Sequence, residues 1–149
     1  MTIENEVPKL EICKRLKELG YPQEGAGFYW VTTRDGLTSL LTRPEISPNW
    51  DSPVIVAAPM IGEMGERLPS SFYIFYDDWL QNKKHTYGTY RLTIQRSGDK
   101  GQYWLVEYNL EGERTCISVG ADTEADTRGN MLIYLLENNL LKFDGKGKS

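Results

Sequence analysis

Apolar and polar residues alternate most regularly between Tyr90 and Tyr108, in the segment YRLTIQRSGDKGQYWLVEY. A period of two in residues with high strand propensity is typical of a half-buried β-strand. The two alternating runs are separated by residues 97–101, which include two glycines that can adopt positive φ. We therefore predict a β-hairpin in which Leu92 pairs with Val106, because this register keeps the apolar side chains of both strands on one face.

A second hairpin is predicted within residues 28–43, where two strand-like runs flank Asp35 and Gly36. An Asp-Gly pair between such runs is a strong short-range signal for a tight turn. If the turn has two residues, Val31 lies close to Leu40.

Shorter apolar runs predict three further strands and one short helix. The strands are predicted near residues 54–58, 72–76 and 114–119, and the helix near residues 60–68. Residues 44–53 contain three prolines, which predict a loop.

Helical periodicity is found near both ends of the chain. Residues 8–19 and 123–141 repeat apolar positions at helical spacing. Gly20 is suited to end the first helix and Thr123 to begin the second. Gly129 lies on the apolar stripe of the second helix, which predicts that the helix approaches the sheet closely there.

These elements predict one α+β domain over residues 1–149, with flexible tails at residues 1–7 and 143–149. We expect an antiparallel sheet flanked by the N-terminal helix and the long C-terminal helix. The C-terminal helix is predicted to pack on the face of the main hairpin that carries Ile94 and Trp104.

Charge and targeting signals narrow the class of protein. The net charge is −4 and the sequence pI is about 5.1, which argues against broad binding to nucleic acid or to anionic membranes. The first residues, MTIENEVPKL, lack the apolar core of a signal peptide. We therefore expect a cytoplasmic protein with no membrane partner.

Few residues offer metal or nucleophilic chemistry. His85 is the only histidine, which excludes a site with several histidine ligands. A zinc site, or a cysteine–histidine nucleophile pair, would require Cys13 or Cys116 to meet His85 across the fold. Structural roles are favoured for both cysteines, and we predict no metal and no cofactor.

Acidic residues leave one enzymatic alternative open. Asp77 and Asp78 are adjacent, and Glu63 or Glu66 would complete an oxygen-rich site for a divalent cation if the fold brought them together. A metal-dependent enzyme is therefore an alternative, although the sequence favours a protein without catalytic activity.

A basic segment provides a second alternative. Residues 81–103 carry five basic residues and one acidic residue. Lys83, Lys84 and Arg91 lie among tyrosines, as in proteins that bind single-stranded nucleic acid. Contact with nucleic acid through these three residues is thus an alternative to protein binding.

Loop aromatics suggest where a partner protein binds. Trp50 and Trp79 lie in or beside predicted loops, and aromatic residues are enriched in protein interfaces. We predict that the binding residues are Trp50, Trp79, Lys83, Lys84 and His85.

Several stretches together resemble a known group of proteins. They are LKELGYPQ at the close of the first helix, the pattern W-x-V-x-Y in the main hairpin, and ADT followed by MLIYLLEN near the end. This combination is similar to small uncharacterised proteins of phages and prophage regions, and the resemblance covers most of the chain. It implies an accessory role without assigning catalytic residues. We expect such a protein to act by binding another protein or itself.

The order of elements in residues 89–141 also resembles the antitoxin domain of HicB-type systems. Many unrelated proteins share such an order. An antitoxin-like regulatory module that contacts nucleic acid therefore stands as the alternative function.

Overall fold

The computed structural model describes residues 3–69, 71–75, 87–97, 103–110 and 116–143. Within these ranges, the strands are β1 (Phe28–Thr32), β2 (Thr38–Leu41), β3 (Val54–Ala58), β4 (Ser71–Phe75), β5 (Tyr87–Ser97), β6 (Tyr103–Leu110) and β7 (Cys116–Ala121). The α-helices are α1 (Leu10–Glu18), α2 (Ile61–Arg67) and α3 (Glu124–Glu137), and two short 3₁₀ helices cover Ile3–Glu6 and Arg43–Glu45. The predicted α+β class is confirmed.

The described strands form two antiparallel sheets, in the orders β2-β1-β3 and β4-β5-β6-β7, where we expected one sheet. The outer edge of β3 provides the physical reason. Lys17 Nζ donates to the carbonyl oxygen of Ile55 at 3.1 Å, and the amide of Ala57 donates to Gln23 Oε1 at 2.8 Å. Because side chains already bond these outward-facing backbone groups, the first sheet cannot extend through β3 into the second.

The main hairpin is formed by β5 and β6, but its predicted register is wrong by two residues. Leu92 lies opposite Tyr108 rather than Val106, and Val106 pairs with Ile94. Strand β5 also includes Ser97, which we had assigned to the loop. A shift of two residues leaves every side chain on its predicted face, so the alternation of apolar residues cannot distinguish the two registers.

The first hairpin, β1 with β2, is likewise present with a different register. Val31 pairs with Ser39, whereas we predicted that Val31 lies close to Leu40. The turn is longer than two residues, because the amide of Gly36 donates to the carbonyl oxygen of Thr33 at 2.9 Å and Gly36 has φ +91°. A turn that ends in a left-handed glycine is typical of three-residue hairpin loops.

The segment just before α1 joins three parts of the fold. The amide of Lys9 donates to Asp126 Oδ1 at 2.8 Å, and Asp126 is buried in the first turn of α3. Thr123 caps α3 by accepting a hydrogen bond from the amide of Asp126 at 3.0 Å. The carbonyl oxygen of Pro8 accepts from Trp30 Nε1 at 2.9 Å, which adds the first sheet to the junction.

Helix α3 approaches α1 closely at Gly129, not the sheet as we predicted. A Cβ atom on Gly129 would lie 2.7 Å from Ile12 Cγ2 and 3.3 Å from Pro8 Cγ. The apolar stripe of α3 indicated a close contact, but the stripe alone cannot identify which element makes it.

The largest apolar cluster lies between α3 and the second sheet. It confirms that α3 packs on the sheet face to which Ile94 belongs, while Trp104 lies beside the Arg96 guanidinium, 5.3 Å from the ring centroid. Fully buried members of the cluster include Leu16, Met64, Val106, Tyr108, Met131, Leu132 and Leu135.

No helix in the described ranges has the length and apolarity needed to cross a membrane.

Contacts of the described residues reach the inner end of each predicted tail. Ile3–Glu6 form a 3₁₀ helix, and Val7 is buried in a cluster with Cys13. At the other end, the ring of Phe143 packs edge-on against Tyr21, with 5.4 Å between the ring centroids.

Candidate functional site

The loop between β2 and β3 covers one face of the first sheet and carries Trp50. The loop begins with a capped 3₁₀ helix, in which the amide of Thr42 donates to Glu45 Oε1 at 2.7 Å. Ile46 packs onto the buried residues of the sheet face, and the amide of Trp50 donates to the carbonyl oxygen of Ser47 at 3.3 Å. These contacts hold the backbone on which the indole ring is displayed.

Trp50 lies on the surface between two hollows. It is 38% exposed, which is high for so large an apolar side chain. One hollow, of about 390 Å³, is mostly apolar and is lined by Arg43, Ile46, Ser47, Pro48, Trp50, Pro53 and Ile55. The other, of about 300 Å³, lies toward the β1–β2 turn and is lined by Thr33, Arg34, Asp35, Trp50 and Asp51. We call these two hollows and the indole between them the Trp50 surface.

Two arginines at the Trp50 surface have different environments. Arg34 forms an exposed ion pair with Asp51. Arg43 stacks on the ring of Tyr29 at 5.4 Å and forms no ion pair with a carboxylate of the described residues. A guanidinium held over an aromatic face keeps its N–H donors available at the edge, so Arg43 can still donate hydrogen bonds there.

A third, smaller hollow lies beside α2. Its volume is about 160 Å³, and it is lined by Tyr21, Pro22, Glu24, Gly25, Ala26, Glu63, Glu66 and Arg67. The Arg67 guanidinium lies 5.2 Å from the ring centroid of Tyr21 and 5.5 Å from that of Phe143. Burial raises the pKa of the Tyr21 hydroxyl to about 12 and the nearby Arg67 opposes this shift, so Tyr21 is protonated at neutral pH and is no general base there.

Glu63, a candidate ligand for a divalent cation, has a structural role in this region. Its carboxylate accepts hydrogen bonds from the amide of Gly27 at 3.1 Å and from the amide of Met60 at 3.0 Å. The side chain thereby caps α2 and holds the segment before β1 against it. Asp77 and Asp78, the other proposed ligands, lie outside the described residues.

Cys13 is buried and its thiol donates to the carbonyl oxygen of Pro8 at 3.4 Å. Burial raises its pKa to about 12, and the charge of Asp126 adds to that shift. Such a thiol is a poor nucleophile at neutral pH. In the described part of the chain, no three histidine, cysteine or acidic side chains are grouped so that they could hold a metal ion.

Of the predicted binding residues, Trp50 is the one that the structure describes. Trp79, Lys83, Lys84 and His85 lie outside the described residues, so their binding roles stay predictions. The backbone of Arg91 pairs with Ser71 in β4 and with Asn109 in β6; its side chain is outside the description.

One exposed apolar residue lies at the same end of the first sheet as the Trp50 surface, and the sequence did not indicate its exposure. Leu37, just after the β1–β2 turn, is 67% exposed. Leu37 follows the Asp-Gly pair and begins the second strand-like run of the predicted hairpin. The pattern therefore predicted a strand residue but did not indicate which face of the sheet its side chain occupies.

Comparison with known proteins assigns no family to this chain. The chain matches no protein-family model, no curated protein and no solved structure.

Proposed function

We propose that this chain is a non-enzymatic, phage-associated accessory protein that acts by binding another protein through the Trp50 surface. The observation that carries the proposal is the exposed indole of Trp50 between two hollows, with Arg43 beside it. Tryptophan and arginine are, together with tyrosine, the residues most enriched among those that dominate binding energy in protein interfaces. The resemblance to phage and prophage proteins supports the accessory role.

The chemistry of the hollows suggests what the partner presents. The apolar hollow is walled by two prolines and two isoleucines, which favours an aliphatic or aromatic side chain of the partner. Arg43 at its rim favours an acidic or carbonyl group next to that side chain. A partner segment with an apolar residue beside an acidic one therefore fits this surface.

Affinity capture from a bacterial host lysate tests the proposal. The tagged wild-type chain is compared with Trp50→Ala, and Tyr103→Ala serves as the matched control because Tyr103 is 39% exposed on the other sheet. A nuclease-treated aliquot of each sample is processed alongside, and the captured proteins are identified by mass.

The expected result is a stoichiometric protein that survives nuclease, is retained by Tyr103→Ala and is lost from Trp50→Ala. Truncating a dominant interface residue costs about 2 kcal/mol or more, which corresponds to an affinity lower by about 30-fold. Equal capture by Trp50→Ala would contradict the proposal. Loss of the captured material on nuclease treatment would instead favour the nucleic-acid alternative.

A further inference from the structure

The outer edge of β2 presents backbone groups that point away from the first sheet. At the start of the β1–β2 ladder, the amide of Thr33 donates to the carbonyl oxygen of Leu37 at 2.8 Å. Bonded and non-bonded residue pairs alternate along an antiparallel ladder. The backbone groups of Ser39 therefore face β1, and those of Thr38 and Leu40 face outward.

This edge differs from the opposite edge of the same sheet. The outward groups of β3 are bonded by Lys17 and Gln23, whereas no described residue bonds the outward groups of Thr38 and Leu40. Edge strands of native proteins are usually protected by charged residues, prolines or bulges. The segment LTSLLT, residues 37–42, contains no charged residue and no proline, and β2 pairs with β1 without a bulge.

We propose that two copies of this chain associate by antiparallel pairing of β2, with the two-fold axis passing between the two Ser39 residues. Thr38 of each copy then exchanges two backbone hydrogen bonds with Leu40 of the other, which gives four bonds in total. The same register places Leu37, 67% exposed, opposite Leu41 of the second copy. The surface is independent of the Trp50 proposal, so either proposal can fail alone.

A second copy is favoured over an unrelated strand because the edge is complementary to itself. The two-fold arrangement uses every outward donor and acceptor of β2, and the neutral segment brings no like charges together. Five paired residues in each copy form a small contact compared with the roughly 1,200 Å² of a stable interface. The expected dimer is therefore weak and depends on concentration.

The position of Ser39 on the axis permits a sharp test. In this register Ser39 lies opposite Ser39 of the second copy. The two residues form a non-hydrogen-bonded pair, in which Cα atoms are about 4.5 Å apart. Ser39→Lys or Ser39→Glu places like charges opposite each other only in the dimer, because Ser39 is exposed in the monomer. A mixture of the two variants places opposite charges there instead.

Sedimentation of the full chain from about 10 µM to about 1 mM measures the association. We expect a wild-type dimer, an association constant at least tenfold lower for each charged variant, and recovery of the dimer in the mixture. Melting temperatures confirm that each variant folds. A wild-type chain that stays monomeric at the highest concentration, or a dimer that Ser39→Lys leaves unchanged, would overturn the proposal.

Oxidation of variants with one introduced cysteine, in a chain whose Cys13 and Cys116 are replaced by alanine, checks the register. Ser39→Cys is expected to cross-link two chains, because the Cα separation of such a pair lies within the disulfide range. Thr38→Cys is the matched control: it lies opposite Leu40 of the second copy and projects to the other face of the sheet. Equal cross-linking of both variants would refute this register. Ser39→Lys should still capture the Trp50 partner, which separates this test from that of the proposed function.

Discussion

Replacement of Gly129 tests the contact between α1 and α3 most directly. A methyl group at this position would lie 2.7 Å from Ile12 Cγ2 and 3.3 to 3.4 Å from two ring carbons of Pro8. Ile12 is β-branched within a helix and has little rotameric freedom, and the proline ring cannot turn aside. The two helices must therefore move apart, or Ile12 must leave its preferred rotamer.

The size of the effect follows from two opposing terms. Gly→Ala in a helix interior stabilises the helix by about 1 kcal/mol. Overpacking in a well-packed contact costs about 1–3 kcal/mol. We expect Gly129→Ala to lower the free energy of unfolding by up to about 2 kcal/mol, and Gly129→Leu to lower it further. For a chain of this length, each kcal/mol corresponds to a melting temperature lower by about 2–4 °C.

Chemical denaturation and thermal melting measure the change, and Gly62→Ala provides the control. Gly62 lies in α2, and beyond its chain neighbours and its own helix backbone nothing lies within 4 Å of the position that its Cβ would occupy, so alanine there should stabilise the protein. Adding Ile12→Ala to Gly129→Ala removes the nearest atom, and we expect a favourable coupling above about 0.5 kcal/mol. If Gly129→Ala stabilises the protein as much as Gly62→Ala does, the close approach of the helices is refuted.

Two other predictions concern buried titratable groups. The Tyr21 hydroxyl is buried and forms no hydrogen bond with a described residue, whereas the Tyr108 hydroxyl donates to the carbonyl oxygen of Pro69 at 2.6 Å. Tyr21→Phe should therefore leave the melting temperature unchanged or raise it, and Tyr108→Phe should cost about 1 kcal/mol; the reverse order in thermal melts would contradict this. Burial raises the pKa of Cys13 from 9.0 to about 12 and that of Tyr21 from 10.0 to about 12, so the folded state keeps protons that the unfolded state releases. The free energy of unfolding should thus be independent of these groups below about pH 9 and fall toward pH 12, with a smaller fall in Tyr21→Phe; equal alkaline slopes in the two proteins would refute this.

The sequence predicted the elements of this fold better than their pairing. Periods of two and 3.6 residues are local properties, so both hairpins and both terminal helices were found from them. Register is not local. The shift of two residues that puts Leu92 opposite Tyr108 leaves no trace in the alternation, and the one-residue change at Val31 arises from the left-handed Gly36, which lengthens the turn.

The division into two sheets depends on contacts that no sequence pattern announces. Lys17 is an exposed residue of α1, and its bond to Ile55 depends on how the helix lies against β3. Asp126 lies in the first turn of α3, yet its carboxylate bonds the amide of Lys9 before a different helix. Each side chain has an ordinary local interpretation, and only the tertiary structure gives it a second partner.

The candidate site was predicted in part for the same reason. The prolines around Trp50 indicated a loop, and a large aromatic residue in a loop was a reasonable candidate for exposure. The hollows beside the indole arise from the turn at Arg34, the strand at Ile55 and the ion pair with Asp51, which the fold brings together. How close these three elements lie in space cannot be obtained from their spacing along the chain.

The hydrogen bond between Lys9 and Asp126 has a consequence for how the protein is made. Its partners are 117 residues apart. A ribosome adds about 5–20 residues per second, so Asp126 is synthesised about 6–23 s after Lys9. During that interval α1 is present in the nascent chain without α3, and the apolar side of Ile12 that later meets Gly129 is uncovered. The incomplete chain is then most open to chaperones and to aggregation, before the last helix leaves the ribosome.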